Sequence, residues 1–174
     1  FGRMRMLNDD TTDGLYSYFP GTSGLMYWND NTGGSPVQIA ALEDVDGDGT
    51  INITSNGWGT YQNSLTSFAH MGTDASNNIH VTYAGLVENT DPLGGGKAVR
   101  NIYYFSSSDH GANWTTPVRV NANDIREQVW SSVAKNSQPN CIKMIYQEDD
   151  APGNRTTSTN ADYSDNVGVT AEEH

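Results

Sequence analysis

Short runs of alternating β-branched and aromatic residues, each closed by a cluster of turn formers, commit this chain to antiparallel sheet. Ile79, Val81 and Tyr83 fall on one face of a strand, with His80 and Thr82 on the other. Residues 99–105 and 141–146 are similar β-branched and aromatic runs. Weaker strand segments cover residues 25–28, 36–40, 67–71, 118–120 and 130–134. Between them stand Gly33-Gly34-Ser35-Pro36, Asp91-Pro92-Leu93-Gly94-Gly95-Gly96 and Asp149-Asp150-Ala151-Pro152-Gly153-Asn154. Glycine opens positive φ, proline fixes φ, and aspartate and asparagine bond back to their own backbone, so these clusters turn the chain. The longest glycine- and proline-free stretch that could be a helix, residues 118–138, has no steady 3.6-residue apolar period. The expectation is an all-β chain without helices.

Composition narrows the class further. A length of 174 residues suits one domain or a piece of one. Charged residues are only 17%, below the ~25% of an average soluble chain, and the aliphatics are also sparse. Helical bundles and coiled coils need the opposite composition. Nine Tyr, four Trp and four Phe argue against disorder. The net charge of −12 repels nucleic acid and anionic membrane surfaces and attracts cations, calcium above all. No stretch approaches the ~18 apolar residues of a membrane span, so membrane insertion is not expected. A single cysteine, Cys141, cannot form an intrachain disulfide, and its place at the start of a strand suggests a small buried hydrophobe. The chain opens at Phe1 with no leader pattern, which suggests a mature or internal fragment of a longer protein.

A loose repeat runs through the second half. Residues 67–71 precede a turn and then the run from Ile79. Residues 131–135 precede a turn and then the run from Ile142, 63 residues later. Each unit reads as strand, turn, strand, long loop, strand, turn, strand. That describes a four-stranded antiparallel sheet, the blade of a β-propeller. On this reading residues 61–124 form one blade, with the loop 85–98 as an insertion. Residues 1–60 hold an earlier, divergent blade, and residues 125–174 begin the next. The alternative is a β-sandwich of seven or more strands. A propeller closes with about four to eight blades, so three blades imply that further blades come from the same chain or another.

Two motifs carry chemistry. Ser107-Ser108-Asp109-His110-Gly111-Ala112-Asn113-Trp114 follows directly on the strand of residues 99–105. An aspartate can accept backbone N–H groups two or three residues on, Gly111 supplies a positive φ, and Trp114 can fold back as an apolar lid. The octapeptide resembles the Asp-box (BNR repeat) of sialidases and related secreted propellers. The resemblance implies a structural role for Ser107, Asp109, Gly111 and Trp114, closing the hairpin between the third and fourth strands of a blade. The second motif is Asp44-Val45-Asp46-Gly47-Asp48-Gly49-Thr50-Ile51-Asn52. Three carboxylates at alternate positions converge when such a loop curls, and calcium takes six to eight oxygens in loops of this kind. An EF-hand would need a Glu at position twelve, where Ser55 stands, and flanking helices. The loop looks more like that of FG-GAP-type propeller repeats, with Asn52 in place of their ninth-position aspartate. The expected ligands are the side chains of Asp44, Asp46, Asp48 and Asn52 and the carbonyl of Thr50, with calcium in a structural role.

No catalytic set is expected. Sialidase activity in the Asp-box family needs an arginine triad, and none of Arg3, Arg5, Arg100, Arg119, Arg126 and Arg155 stands in the Arg-Ile-Pro context of its first member. Arg100 and Arg119 read as ordinary strand-end charges. Glu148, two residues from Tyr146, is equally ordinary. His70, His80, His110 and His174 are too scattered for a zinc site. Trp28, Trp58 and Trp130 read as packing between blades before they read as a sugar-stacking platform. Asn113-Trp114-Thr115 fits a glycosylation acceptor but lies inside the Asp-box. The resemblance therefore implies a non-catalytic, calcium-stabilised module, secreted or at a bacterial cell surface, that binds carbohydrate or protein. The acidic, Asn- and Thr-rich character is similar to that of large surface proteins exported by type IX secretion. Two alternatives remain open: part of an exo-sialidase with its catalytic residues elsewhere, or a structural surface or filament subunit.

Overall fold

The computed structural model describes residues 6–7, 16–17, 23–30, 32–53, 64–135, 137–138, 141–150 and 152. Trp58, Arg3, Arg5, Arg155 and His174 lie outside the described residues. Ten strands follow in chain order: β1 (Met6–Leu7), β2 (Tyr16–Ser17), β3 (Leu25–Tyr27), β4 (Val37–Ala40), β5 (Thr66–Thr73), β6 (Ile79–Leu86), β7 (Arg100–Ser107), β8 (Val118–Arg119), β9 (Glu127–Val133) and β10 (Met144–Asp149). The chain is all-β, with antiparallel strand pairs and no helix among the described residues. Strands β5 to β8 form one four-stranded meander, while β1–β2, β3–β4 and β9–β10 are two-stranded. No sheet closes on itself among these strands.

Strand β6 is the spine, paired along its whole length with β7 from Ile79 opposite Ser107 to Leu86 opposite Arg100. Its alternation feeds two separate cores. Val81 and Tyr83, with Tyr103 and Phe105 of β7, meet Leu25 and Ala40 of the β3–β4 hairpin. Ala84 and Ile102 point to the other face and meet Val129, Met144 and Tyr146 of the β9–β10 hairpin. The four-stranded sheet is thus the middle of three layers. Burying a side chain such as Phe105 contributes roughly 1.5–3 kcal/mol. Tyr83 and Tyr103 stack at 5.1 Å, and their buried hydroxyls donate to Ala41 O and to the Glu43 carboxylate.

The β5–β6 and β9–β10 hairpins carry the same irregularity. Ser67 pairs with Ala84 and His70 with Thr82, so Phe68 and Ala69 together oppose Tyr83. Val129 pairs with Gln147 and Ser132 with Ile145, so Trp130 and Ser131 together oppose Tyr146. Each first strand holds one extra residue, a β-bulge. The aromatic at its head lies in the left-handed region in both, with φ of 55° at Phe68 and 52° at Trp130. The two aromatic rings meet edge to face at 5.8 Å. Ser131 Oγ donates to Thr82 Oγ1 at 2.9 Å, and the Val133 N–H donates to His70 Nδ1 at 3.0 Å, tying the two layers together.

Several expectations need correction. Cys141 lies ahead of β10, bridged to Gln138, and is exposed; the apolar strand begins three residues later at Met144. Arg100 is not a strand-end surface charge but is fully buried. His80 sits inside the four-stranded sheet, 6% exposed.

Candidate functional site

The acidic loop curls over its own carboxylates. Both oxygens of Asp44 accept backbone N–H groups, from Gly47 and Gly49, each at 2.7 Å. Asp46 accepts the Asp48 N–H at 3.2 Å, and Asp48 accepts the Thr50 N–H at 2.7 Å. Oxygens of Asp44, Asp46 and Asp48 lie within 4.8 Å of one another, and the triad could hold a metal ion. The bond from Gly49 is the chief reason the Asp44 carboxyl sits below its ordinary range. Each carboxylate oxygen carries two lone pairs, so these bonds leave acceptors for a cation. The Asn52 amide nitrogen donates to Asp48 at 3.3 Å, and a half-turn of that amide would put its oxygen at the same point. The donor set of oxygens alone suits a hard cation.

Sequence reasoning missed the residue that holds this loop. Glu88, 1% exposed, stands two residues past the end of β6 and accepts the backbone N–H groups of Val45, Asp46 (3.4 Å) and Asn52 (2.9 Å). Neighbouring Asn89 donates to Asp46 at 2.8 Å. No sequence signal marks Glu88, because its partners stand 36 to 43 residues away.

The octapeptide between β7 and β8 forms a stapled turn. Ser107 Oγ donates to Asp109 and accepts the Gly111 N–H, both at 2.8 Å. Asp109 also accepts the Asn113 N–H at 2.8 Å and the Asn113 side-chain amide at 2.7 Å. These bonds, that from the Asn113 backbone first, hold the Asp109 carboxyl down at about 2. Gly111 has φ +88°, and a Cβ there would sit 2.5 Å from the Tyr27 ring. Trp114 donates its indole N–H to Gly111 O at 3.1 Å and packs on Phe105 at 5.3 Å and on Tyr27 at 5.1 Å. All four expected residues, Ser107, Asp109, Gly111 and Trp114, are brought together, and the turn leans on the β3–β4 layer.

Two further buried charges were not foreseen. The Arg100 guanidinium donates to Ser64 O, Leu65 O and Ser67 Oγ, and burial pulls it down to about 9. Glu127 accepts the Arg100 backbone N–H at 2.6 Å, and burial pushes its carboxyl well above the ordinary range. The remaining candidates stay apart. His70, His80 and His110 do not meet, Trp28 is 54% exposed, and Glu148 is engaged with Arg126 and Gln128. No family model, curated protein or solved structure matches this chain.

Proposed function

We propose that the chain is part of a β-propeller, a non-catalytic module stiffened by calcium and displayed in a secreted or cell-surface protein, where it binds carbohydrate or protein. The observation that carries the reading is the repeated bulged hairpin. Strands β5–β6 and β9–β10 share one extra residue, one left-handed aromatic and one opposing tyrosine, and they lie in successive layers. A two-sheet sandwich has no third layer, whereas blades stack face to face in chain order. The stapled octapeptide between the third and fourth strands of the middle sheet supports the same reading. So does the acidic loop, whose three carboxylates lie close enough together to share one cation. Glycan-array and pull-down screens with calcium present test it. Capture of a glycan or a protein partner is the expected result; the absence of both ends the binding role. Hydrolysis of a fluorogenic sialoside by this chain would instead favour the exo-sialidase alternative.

A further inference from the structure

An open cleft of about 540 Å³ lies between the four-stranded sheet and the start of β10, at the end that carries the stapled turn. It falls in the ~300–1,000 Å³ range of small-ligand sites. The acidic loop and Glu88 stand at the other end of β6. A chain of three side chains runs through the cleft wall. Asp74 accepts the N–H groups of Ser76 and Asn78 at 2.8 and 2.9 Å and the Asn78 amide at 2.8 Å, so it is fixed by its own turn. Its other neighbour is His80 Nε2, at 3.4 Å. That contact is an ion-pair distance and not a formed hydrogen bond; in the tautomer with hydrogen on Nε2, facing the carboxylate, Nδ1 is an acceptor. Tyr104 Oη is 2.8 Å from Nδ1 and donates to it in that tautomer. The phenol proton then points at the imidazole, and the oxygen keeps its lone pairs.

The charge of the cleft is committed. Of its charged lining residues, Asp74 serves its turn and His80, and Arg119 pairs with Glu43 at 3.4 Å and Asp124 at 2.8 Å. What remains for a ligand is neutral: acceptors at Tyr104 Oη and Asn78 Oδ1, the hydroxyl of exposed Ser108, and an apolar wall that includes Val118 and Ile142. Hydroxyl donors set beside a C–H face are the chemistry of a sugar ring, which a neutral lining with one apolar side complements. We propose that this cleft binds a neutral carbohydrate, with Tyr104 as the acceptor of a sugar hydroxyl, oriented by His80 and Asp74. The inference rests on the carbohydrate arm of the function proposed above and supplies its site and ligand class.

Isothermal titration calorimetry with maltohexaose, cellohexaose, laminarihexaose and mannohexaose, and with sialyllactose as a charged control, tests it. At least one neutral hexaose should bind. Tyr104→Phe should weaken it at least tenfold, and the exposed Ser108→Trp, which fills the cleft without touching the relay, should abolish it. Circular dichroism checks that both variants are folded. Binding of a hexaose equally by wild type and both variants overturns the cleft and leaves the carbohydrate role standing. Binding of sialyllactose alone overturns the neutral class. Failure of every sugar overturns the cleft together with the carbohydrate arm, leaving only protein as partner.

Discussion

The acidic loop and the stapled octapeptide use one chemistry and reach different ends. In both, an aspartate accepts backbone N–H groups a few residues on and a glycine takes positive φ. The octapeptide finds its acceptors and donors almost entirely within itself, from Ser107 to Asn113, and covers the result with Trp114. The acidic loop has three carboxylates, no lid, and a backbone held by a glutamate from another loop. A turn whose polar groups balance locally can be specified locally. The acidic loop draws in addition on a distant anchor, Glu88, and its three carboxylates could hold a cation.

Glycine substitutions should separate the two most sharply. Gly111→Ala forces a Cβ into the Tyr27 ring, which Trp114 prevents from swinging aside, and adds the left-handed cost, for roughly 3–4 kcal/mol in total. Gly49→Ala meets nothing within 4 Å and carries only the cost of φ +83°, about 1 kcal/mol. Urea unfolding of the two variants measures the difference, and equal losses would erase the distinction between a packed and an open turn. Glu88→Ala should come next, at about 3 kcal/mol, because three N–H groups lose one buried acceptor. Glu88→Gln should lose less, since its amide oxygen still accepts. A Glu88→Ala variant as stable as wild type would mean that the acidic loop is self-sufficient after all.

Calcium should act on one turn only. At a hundredfold excess over its dissociation constant an ion stabilises its site by about 2.7 kcal/mol. Calorimetric melting should therefore rise on adding calcium and fall back with chelator. Asp44→Asn combined with Asp46→Asn should abolish the response, and Asp109→Asn should leave it intact. A melting temperature indifferent to calcium would remove the metal from the acidic loop and leave its carboxylates as a solvated turn.

What could be read from the sequence follows the same division. The octapeptide was legible to the residue because its partners lie within a few positions of one another. The alternation Ile79, Val81, Tyr83 located β6, and the 63-residue repeat located the second hairpin. The bulges were not legible: an extra residue in a strand leaves the apolar pattern nearly unchanged, and only the register shows Phe68 and Ala69 opposite one Tyr83. Glu88, Arg100 and Glu127 were invisible for another reason. A buried charge looks like a surface charge until the strands that desolvate it are assembled, and the partners of Arg100 stand 33 to 36 residues back. Tyr104 likewise meets His80 only once β6 and β7 are paired.

The smallest effect is the most selective in pH. The Asp109 carboxyl sits at about 2 when folded against an ordinary 3.8, with the Asn113 N–H as the main cause. The folded state therefore binds its proton less readily than the unfolded chain. The resulting stability is complete above about pH 4 and is lost as pH falls through about 2. Asp44 is also lowered, through Gly49 first, so it adds a loss of the same sign. Glu127 works the other way and in a higher window. Burial raises its carboxyl above 4.5, so the folded state holds the proton longer and stability declines as pH climbs past that value. Melting temperatures between pH 5 and 2 should thus fall less steeply in Asp109→Asn than in wild type. Calcium should blunt the part due to Asp44, because a bound cation resists its protonation, and should leave the part due to Asp109 untouched. If calcium instead protected Asp109→Asn and wild type to the same residual slope, the acid-sensitive group would be the metal loop alone, and the octapeptide would hold its shape without its carboxylate charge.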